Sequence, residues 1–213
     1  MGDPLICLIC FDLNGTLIRE NSWQNLNRAL GLTDEEDLAL LRLYQDGSIT
    51  YQEGLDRLLR LYNRNGKFRK DIVEEALFQY SYCAHAKEIV SYLREKQYQM
   101  AIISGSFDIL VEKVAEELRI PFWAANNRFV FDQNGTGTSI ECFGNDDVFK
   151  EVKLEEMCRT LDIDITQCAC VGDSENDRKI FAASQHGIAL KGSPVEKDAW
   201  KVIRTLEDIK III

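Results

Sequence analysis

The sequence predicts an α/β fold: a doubly wound parallel sheet interrupted by one block of helices. Three observations carry this. Short continuous apolar runs each end in a small polar turn, and each such run is followed by a helical pattern. The alternation then fails between about Ile18 and Cys83, where helical patterns stand with no strong strand candidate between them. Buried parallel strands read as unbroken apolar runs because helices cover both of their faces.

The first run is Leu5–Phe11, which enters the turn Asp12-Leu13-Asn14-Gly15. Within the interruption, Thr33-x-x-Glu36 and Thr50-x-x-Glu53 are capping-box patterns. Leu55, Leu58, Leu59 and Tyr62 then follow the i, i+3, i+4, i+7 spacing of a helix with one apolar face. Ala86–Lys96 is helical, Tyr98–Ile103 is a strand running into Ser104-Gly105-Ser106, and Phe107–Leu118 is the next helix. Phe129–Glu141 has an aromatic run, the turn sequence Asp132-Gln133-Asn134-Gly135, and then Thr136–Ile140, a hairpin signature. Val152–Leu161 is helical, Cys168–Val171 is a strand ending in Gly172-Asp173-Ser174, and Gly187–Leu190 adds a further strand.

The chain has 213 residues, enough for one domain with an inserted subdomain. Hydrophobic residues at 46% and charged residues at 28% are globular usage, so a real core is expected. With 35 acidic and 25 basic residues the net charge is −10, which disfavours nucleic acid and anionic membrane surfaces as partners. No apolar run approaches the roughly 18 residues that span a bilayer, and no basic segment precedes Leu5–Phe11. The seven cysteines are odd in number, and Cys7-x-x-Cys10 and Cys168-x-Cys170 sit inside apolar runs rather than on the turns a zinc knuckle uses. Reduced, buried thiols and a cytoplasmic location are the expectation. Nothing in the pattern specifies an oligomer.

In an open parallel sheet, ligands bind beyond the carboxyl ends of the strands. Three predicted strands end there in polar residues, so Asp12, Ser104 with Gly105, and Asp173 with Asp177 are expected to converge on one crevice. Two carboxylates from different strand ends form a hard oxygen site suited to Mg²⁺, which shares phosphate oxygens with a substrate. Ser104 and the amides around Gly105 would supply phosphate donors at a helix start. Each piece alone has an ordinary structural reading: Asn14-Gly15 as a turn, Ser104–Ser106 as a helix cap, Ser174-x-x-Asp177 as a loose capping box. Their coincidence on three strands favours the chemical one.

Phe11-Asp12-Leu13-Asn14-Gly15-Thr16-Leu17, Ile102-Ile103-Ser104-Gly105 and Val171-Gly172-Asp173-Ser174-Glu175-Asn176-Asp177 resemble motifs I, II and IV of the haloacid dehalogenase superfamily. Ser104-Gly-Ser-Phe107-Asp108-Ile109, Ala125-Asn126-Asn127 before a hairpin, and a helical insert after motif I are similar to its phosphoserine phosphatase-like members. The resemblance covers nearly the whole chain. It implies a Rossmann-like core over residues 1–17 and 84–213, a helical cap of the C1 type over 18–83, and Mg²⁺-dependent hydrolysis of a small phosphorylated metabolite.

The family's third motif is a lysine, with Lys150 and Lys153 as candidates. At about 100° per residue, Leu154, Met157, Cys158 and Leu161 centre roughly 30° from Lys150 and roughly 90° from Lys153, so Lys150 extends the apolar face toward a buried anionic site. The resemblance implies Asp12 as nucleophile and Mg²⁺ held by Asp12, the Asn14 carbonyl and Asp173. It implies phosphoryl contacts from Lys150, Ser104, Gly105 and Asn176, with Asp177 holding Lys150 and Thr16 as a buttress. The sequence departs from the family where a second aspartate, two residues after the nucleophile, normally exchanges protons: here it is Asn14. Loss of a general acid/base costs roughly 10²–10⁴-fold, so a slow phosphatase is expected, with a non-catalytic phosphate-ligand binder as the rival.

The family's phosphoserine enzymes hold the amino acid's charges with a cap glutamate and arginine. By spacing these positions fall on Asn21, with Glu20 adjacent, and on Leu58, with Arg57 and Arg60 near; Tyr51 matches the aromatic position. Phosphoserine is therefore not expected to be the best substrate.

Overall fold

The computed structural model describes residues 5–64 and 66–213. Strand β1 (Leu8–Phe11) is followed by four helices, α1 (Ser22–Ala29), α2 (Asp34–Gln45), α3 (Tyr51–Arg64) and α4 (Lys70–Leu77). Then come α5 (Ala86–Glu95), β2 (Gln99–Phe107), α6 (Asp108–Leu118), β3 (Phe122–Phe131) and β4 (Gly137–Cys142). The chain continues through α7 (Asp146–Leu161), β5 (Cys168–Gly172), α8 (Arg178–Ser184), β6 (Gly187–Leu190) and β7 (Lys201–Ile203). The seven strands form one sheet in the order β4-β3-β2-β1-β5-β6-β7. Every neighbouring pair is parallel except the β3–β4 hairpin.

Strand periodicity divides β1 between two cores. Leu8 and Cys10 join a cluster with Phe149 and Leu154 of α7 and Ile180 and Phe181 of α8. Ile9 and Phe11 join the larger cluster on the other face, which takes in Leu93 of α5, Leu110 of α6, and also Leu26, Leu58, Tyr62 and Val73 from α1, α3 and α4. The inserted helices are thus anchored by the same apolar face that seats the sheet. Helix α2 is different: none of its residues is buried.

Both capping boxes are reciprocal. Glu36 N–H donates to Thr33 Oγ1 at 3.2 Å while Thr33 N–H donates to Glu36 Oε2 at 3.0 Å. The Glu53 N–H and Thr50 Oγ1 lie 3.2 Å apart, and the Thr50 N–H and Glu53 Oε2 lie 2.7 Å apart.

Several boundaries differ from those expected. The first strand starts at Leu8 rather than Leu5, whose side chain is exposed. Ser104-Gly105-Ser106 is not a turn: β2 continues to Phe107, because β3 begins at Phe122 and pairs Ser104 with Ala125 and Phe107 with Asn127 across a bulge. Helix α7 begins six residues before Val152, its polar first turn carrying Asp146 and Asp147, where acids favour the positive end of the helix dipole. The three-residue β7 is too short to leave a period for sequence reading to detect. All seven cysteines are free, and Cys158 Sγ lies 3.3 Å from Cys168 Sγ. Among the described residues, no helix is long and apolar enough to cross a membrane.

Candidate active site

Because β1 lies between β2 and β5, the residues just beyond its end meet those at the ends of both neighbours. Asp12, Asn14, Ser104, Gly105, Asp173 and Asn176 all line one cavity of about 920 Å³. Lys150 is fully buried behind Asp12, with Nζ donating to Asp12 Oδ1 at 2.8 Å, Asn176 Oδ1 at 2.7 Å and Asp177 Oδ1 at 2.6 Å. All three of its protons are used. Burial alone would lower the Lys150 pKa, but the charges of Asp12 and Asp177 outweigh it and hold the ammonium above its ordinary value. Lys153, one turn away, is paired with Glu156 at the surface.

The two carboxylates nearest Lys150 differ in what remains free. Asp177 is spent: Oδ1 accepts from Lys150, and Oδ2 accepts from the Asp173 and Ser174 N–H groups, each at 3.1 Å. Asp12 gives Oδ1 to Lys150, and its Oδ2 has no hydrogen-bond partner among the described residues. Asp173 accepts from Thr16 Oγ1 at 2.9 Å on Oδ1 and likewise keeps Oδ2 clear. Burial, offset in part by Lys150, and then repulsion from Asp177 and Asp173 push Asp12 up to about 7. Burial also raises Asp173. Carboxylate oxygens of Asp12, Asp173 and Asp177 lie within 4.8 Å of one another. A hard oxygen set whose ionised forms are penalised by burial and mutual repulsion fits a divalent cation such as Mg²⁺.

Gly15 makes this approach possible. Its φ is +79°, and a Cβ there would lie 2.2 Å from Asp173 Oδ2. The Asn14 amide is held by Ser22. Its Nδ2 donates to Ser22 Oγ at 3.0 Å, its Oδ1 accepts from the Ser22 N–H at 3.2 Å, and Ser22 Oγ is 2.7 Å from Ser106 Oγ.

Other expected residues fare differently. Ser104 is buried with its hydroxyl accepting from the Ser106 N–H at 3.2 Å, and Gly105 belongs to a strand, so the pair does not stand at a helix start as expected; the next helix opens at Asp108. Asn21 caps α1, accepting from the Gln24 N–H, and lines the cavity. Glu20 does not: its carboxylate is held by the Ser81 N–H and Oγ, both at 2.7 Å, where the strand-like segment after motif I meets residue 81. Arg57 is also absent from the cavity wall, because the apolar face of α3 turned inward is the one bearing Leu55 and Leu58. Tyr51 reaches Asn127 and Asp146 with its hydroxyl.

Sequence reading missed Arg19, Trp23, Tyr44, Asp146 and Arg178 in the cavity wall. Of these, Asp146 carried a signal, an acid in the first turn of a helix whose start lay earlier than its periodicity indicated.

Residues 9–182 match the family model described as haloacid dehalogenase-like hydrolase. The phosphoserine phosphatase of Methanocaldococcus jannaschii is 26% identical over 210 residues, covering 97% of this chain and 95% of the relative. That of Streptococcus thermophilus is 24% identical over 212 residues, covering 95% and 96%. A solved structure described as a phospho-aspartyl intermediate analogue of phosphoserine phosphatase superimposes with a TM-score of 0.79 at 25% identity, covering 98% of this chain and 99% of that one. The matched span takes in the ends of β1, β2 and β5 and the helix bearing Lys150, and the chain belongs to the haloacid dehalogenase-like hydrolases, similar throughout its length to their phosphoserine phosphatases.

Proposed function

We propose that this protein hydrolyses a small phosphomonoester in a Mg²⁺-dependent reaction, through an aspartyl-phosphate on Asp12, and that Asn14 makes it slow. The observation that carries this reading is the buried Lys150–Asp12 pair at 2.8 Å, which orients one carboxylate oxygen and leaves Oδ2 clear in the cavity. Asp12 Oδ2 attacks phosphorus, the bond from phosphorus to the leaving oxygen breaks, and that oxygen departs with the electron pair and takes a proton. Water then attacks the phosphorus of the aspartyl-phosphate, releasing inorganic phosphate and restoring the carboxylate.

Lys150, Ser104 and the Asn176 amide stabilise the phosphoryl oxygens. Asp177 acts by fixing Lys150, and Thr16 by fixing Asp173. Asp12, Asp173 and the Asn14 backbone carbonyl would hold Mg²⁺, which supplies charge neutralisation at the phosphate when bound. Asn14 has no proton to exchange, so the leaving oxygen and the attacking water both rely on solvent. Residues 18–83 serve as the cap over a core formed by 1–17 and 84–213, and the free thiols suit the reducing cytoplasm.

One observation favours the rival, a phosphate-ligand binder without turnover: both polar atoms of the Asn14 amide are held by Ser22. Hydrolysis of p-nitrophenyl phosphate with and without Mg²⁺, on the chain and on Asp12→Ala, separates the two. A Mg²⁺-dependent rate and a hydroxylamine-sensitive phosphoenzyme, both lost in Asp12→Ala, are expected; full activity in Asp12→Ala refutes the mechanism.

A further inference from the structure

We infer that the leaving group accepted here is a small, positively charged amino alcohol with apolar surface and no carboxylate. It would seat in a second cavity that opens into the phosphate cavity at Asp146. The inference rests on the phosphatase reading and names the substrate class for that same site.

The second cavity, of about 250 Å³, is enclosed by α1, α2 and α3 and walled by Trp23, Leu40, Tyr44, Tyr51, Leu55 and Leu58. At roughly 30 Å³ per water it holds a group of a few heavy atoms, not a peptide or a nucleotide. It shares Asn21, Trp23, Leu41, Tyr44 and Asp146 with the phosphate cavity, so one bound molecule can occupy both. Asp146 stands at the junction. Its carboxylate packs on Gly105, where a Cβ would lie 2.4 Å from Asp146 Cγ, and Gly105 follows the phosphate-contacting Ser104.

The charges of this second cavity all have one sign. Asp37 and Asp146 are its charged lining residues, with no lysine, arginine or histidine among the lining. Neither acid forms an ion pair with a described residue. Asp146 accepts from Asn126 Nδ2 at 2.5 Å and from the Tyr51 hydroxyl at 3.4 Å, both on Oδ1, and also lies beside the Asn176 amide. Asp37 accepts from Asn27 Nδ2 at 2.8 Å on Oδ1 alone. Burial raises the pKa of each carboxyl, a penalty that a cation in contact would offset.

The aromatic wall suits the same cation. Tyr44 and Tyr51 meet edge to face with centroids 5.6 Å apart. Trp23 satisfies its indole N–H on the Gly105 carbonyl at 3.2 Å, so what it offers a ligand is ring surface. Arg19 and Arg178 line only the phosphate cavity. A carboxylate on the leaving group would therefore meet two acids and no counter-charge, which is negative selection against an amino acid's second charge.

Four esters built on one two-carbon skeleton test this: ethyl phosphate, phosphoethanolamine, phosphocholine and phosphoserine. Both kcat/KM with Mg²⁺ and affinity by calorimetry are measured, with p-nitrophenyl phosphate as the control for turnover. At least one of the two carboxylate-free ammonium esters is expected to exceed ethyl phosphate by about tenfold and to exceed phosphoserine as well. Preference for phosphoethanolamine would place the weight on the Asp146 oxygen, and preference for phosphocholine on the aromatic wall. In Asp146→Asn, and to a lesser degree in Asp37→Asn, the ammonium-to-neutral ratio is expected to collapse to within about threefold. Ethyl phosphate or phosphoserine equalling both ammonium esters overturns the inference, as does an unchanged ratio in the folded Asp37→Asn and Asp146→Asn proteins. If p-nitrophenyl phosphate is not turned over, the phosphatase reading fails instead, and the affinity order of the four esters still decides the charge preference.

Discussion

Replacing Asn14 by aspartate is expected to raise kcat by roughly 10²–10⁴-fold with little change in KM. At about 1.36 kcal/mol per decade this is roughly 2.7–5.4 kcal/mol of transition-state stabilisation. The hydrogen-bond network around the position admits the change without moving a heavy atom. The Asn14 amide now donates to Ser22 Oγ, which lies 2.7 Å from Ser106 Oγ, and either of those two hydroxyls can donate to the other. A carboxylate at position 14 would accept from the Ser22 hydroxyl, and Ser106 would then donate to Ser22. The change needs only hydroxyl rotation and the Ser22 N–H bond is retained, so folding stability should stay within about 1 kcal/mol. The groups proposed to favour the ground-state phosphate, Ser104 and the charge of Lys150, are untouched, which is why the gain belongs in kcat. Steady-state kinetics on p-nitrophenyl phosphate and on an alkyl phosphate, alongside urea unfolding of both proteins, make the measurement. The alkyl ester should show the larger gain, since its poorer leaving group needs the proton more. Peptide mapping must accompany it, because Asn14-Gly15 is open to deamidation and an aged sample acquires the aspartate unaided. If mapped Asn14 protein turns over as fast as Asn14→Asp, another group is the acid and base.

Lys150→Met should cost about 3–5 kcal/mol of stability by leaving Asp12 and Asp177 buried without their cation, whereas Lys153→Met should stay within about 0.5 kcal/mol; equal effects in urea unfolding would contradict the assignment of the two lysines. Gly15→Ala should lose more than about 1 kcal/mol, since it combines strain at φ +79° with a Cβ 2.2 Å from Asp173 Oδ2, and it should weaken Mg²⁺ binding measured by calorimetry; wild-type affinity in this variant would show that Asp173 is not held where Mg²⁺ needs it. Saturating Mg²⁺ at about a hundredfold above its Kd should stabilise the fold by about 2.7 kcal/mol, seen as a rise in Tm that Asp173→Asn removes; a rise of the same size in that variant places the cation elsewhere.

What could be read from the sequence, and what could not, follows the range of each signal. Apolar runs ending in acids, β1 before Asp12 and β5 before Asp173, are local and strong. Helical phase put Lys150 on the apolar face of α7 and Lys153 off it, and the side chains are buried and half-exposed respectively. By contrast, the extension of β2 through Ser104–Ser106 depends on β3, and pairing across strands leaves no mark on composition. Glu20 and Arg57 looked suitable by charge and spacing, yet Ser81 captures the first, and the pitch of α3 presents Leu55 and Leu58 inward instead of the second. Trp23 becomes visible only once two cavities are seen to meet.

The Lys150–Asp12 bond joins residues 138 apart in sequence, and the Thr16–Asp173 bond joins residues 157 apart. The second cannot form until β5 has docked against β1, the pairing with the largest loop to close in the sheet. The complete site is therefore a late event in folding rather than a local one. A nascent chain that has emerged only as far as α7 already contains Asp12 and Lys150 but not the strand that brings Asp173, Asn176 and Asp177 to them. During synthesis, phosphate chemistry is thus withheld until β5 has emerged, and recovery of activity in a refolding experiment reports completion of the central sheet.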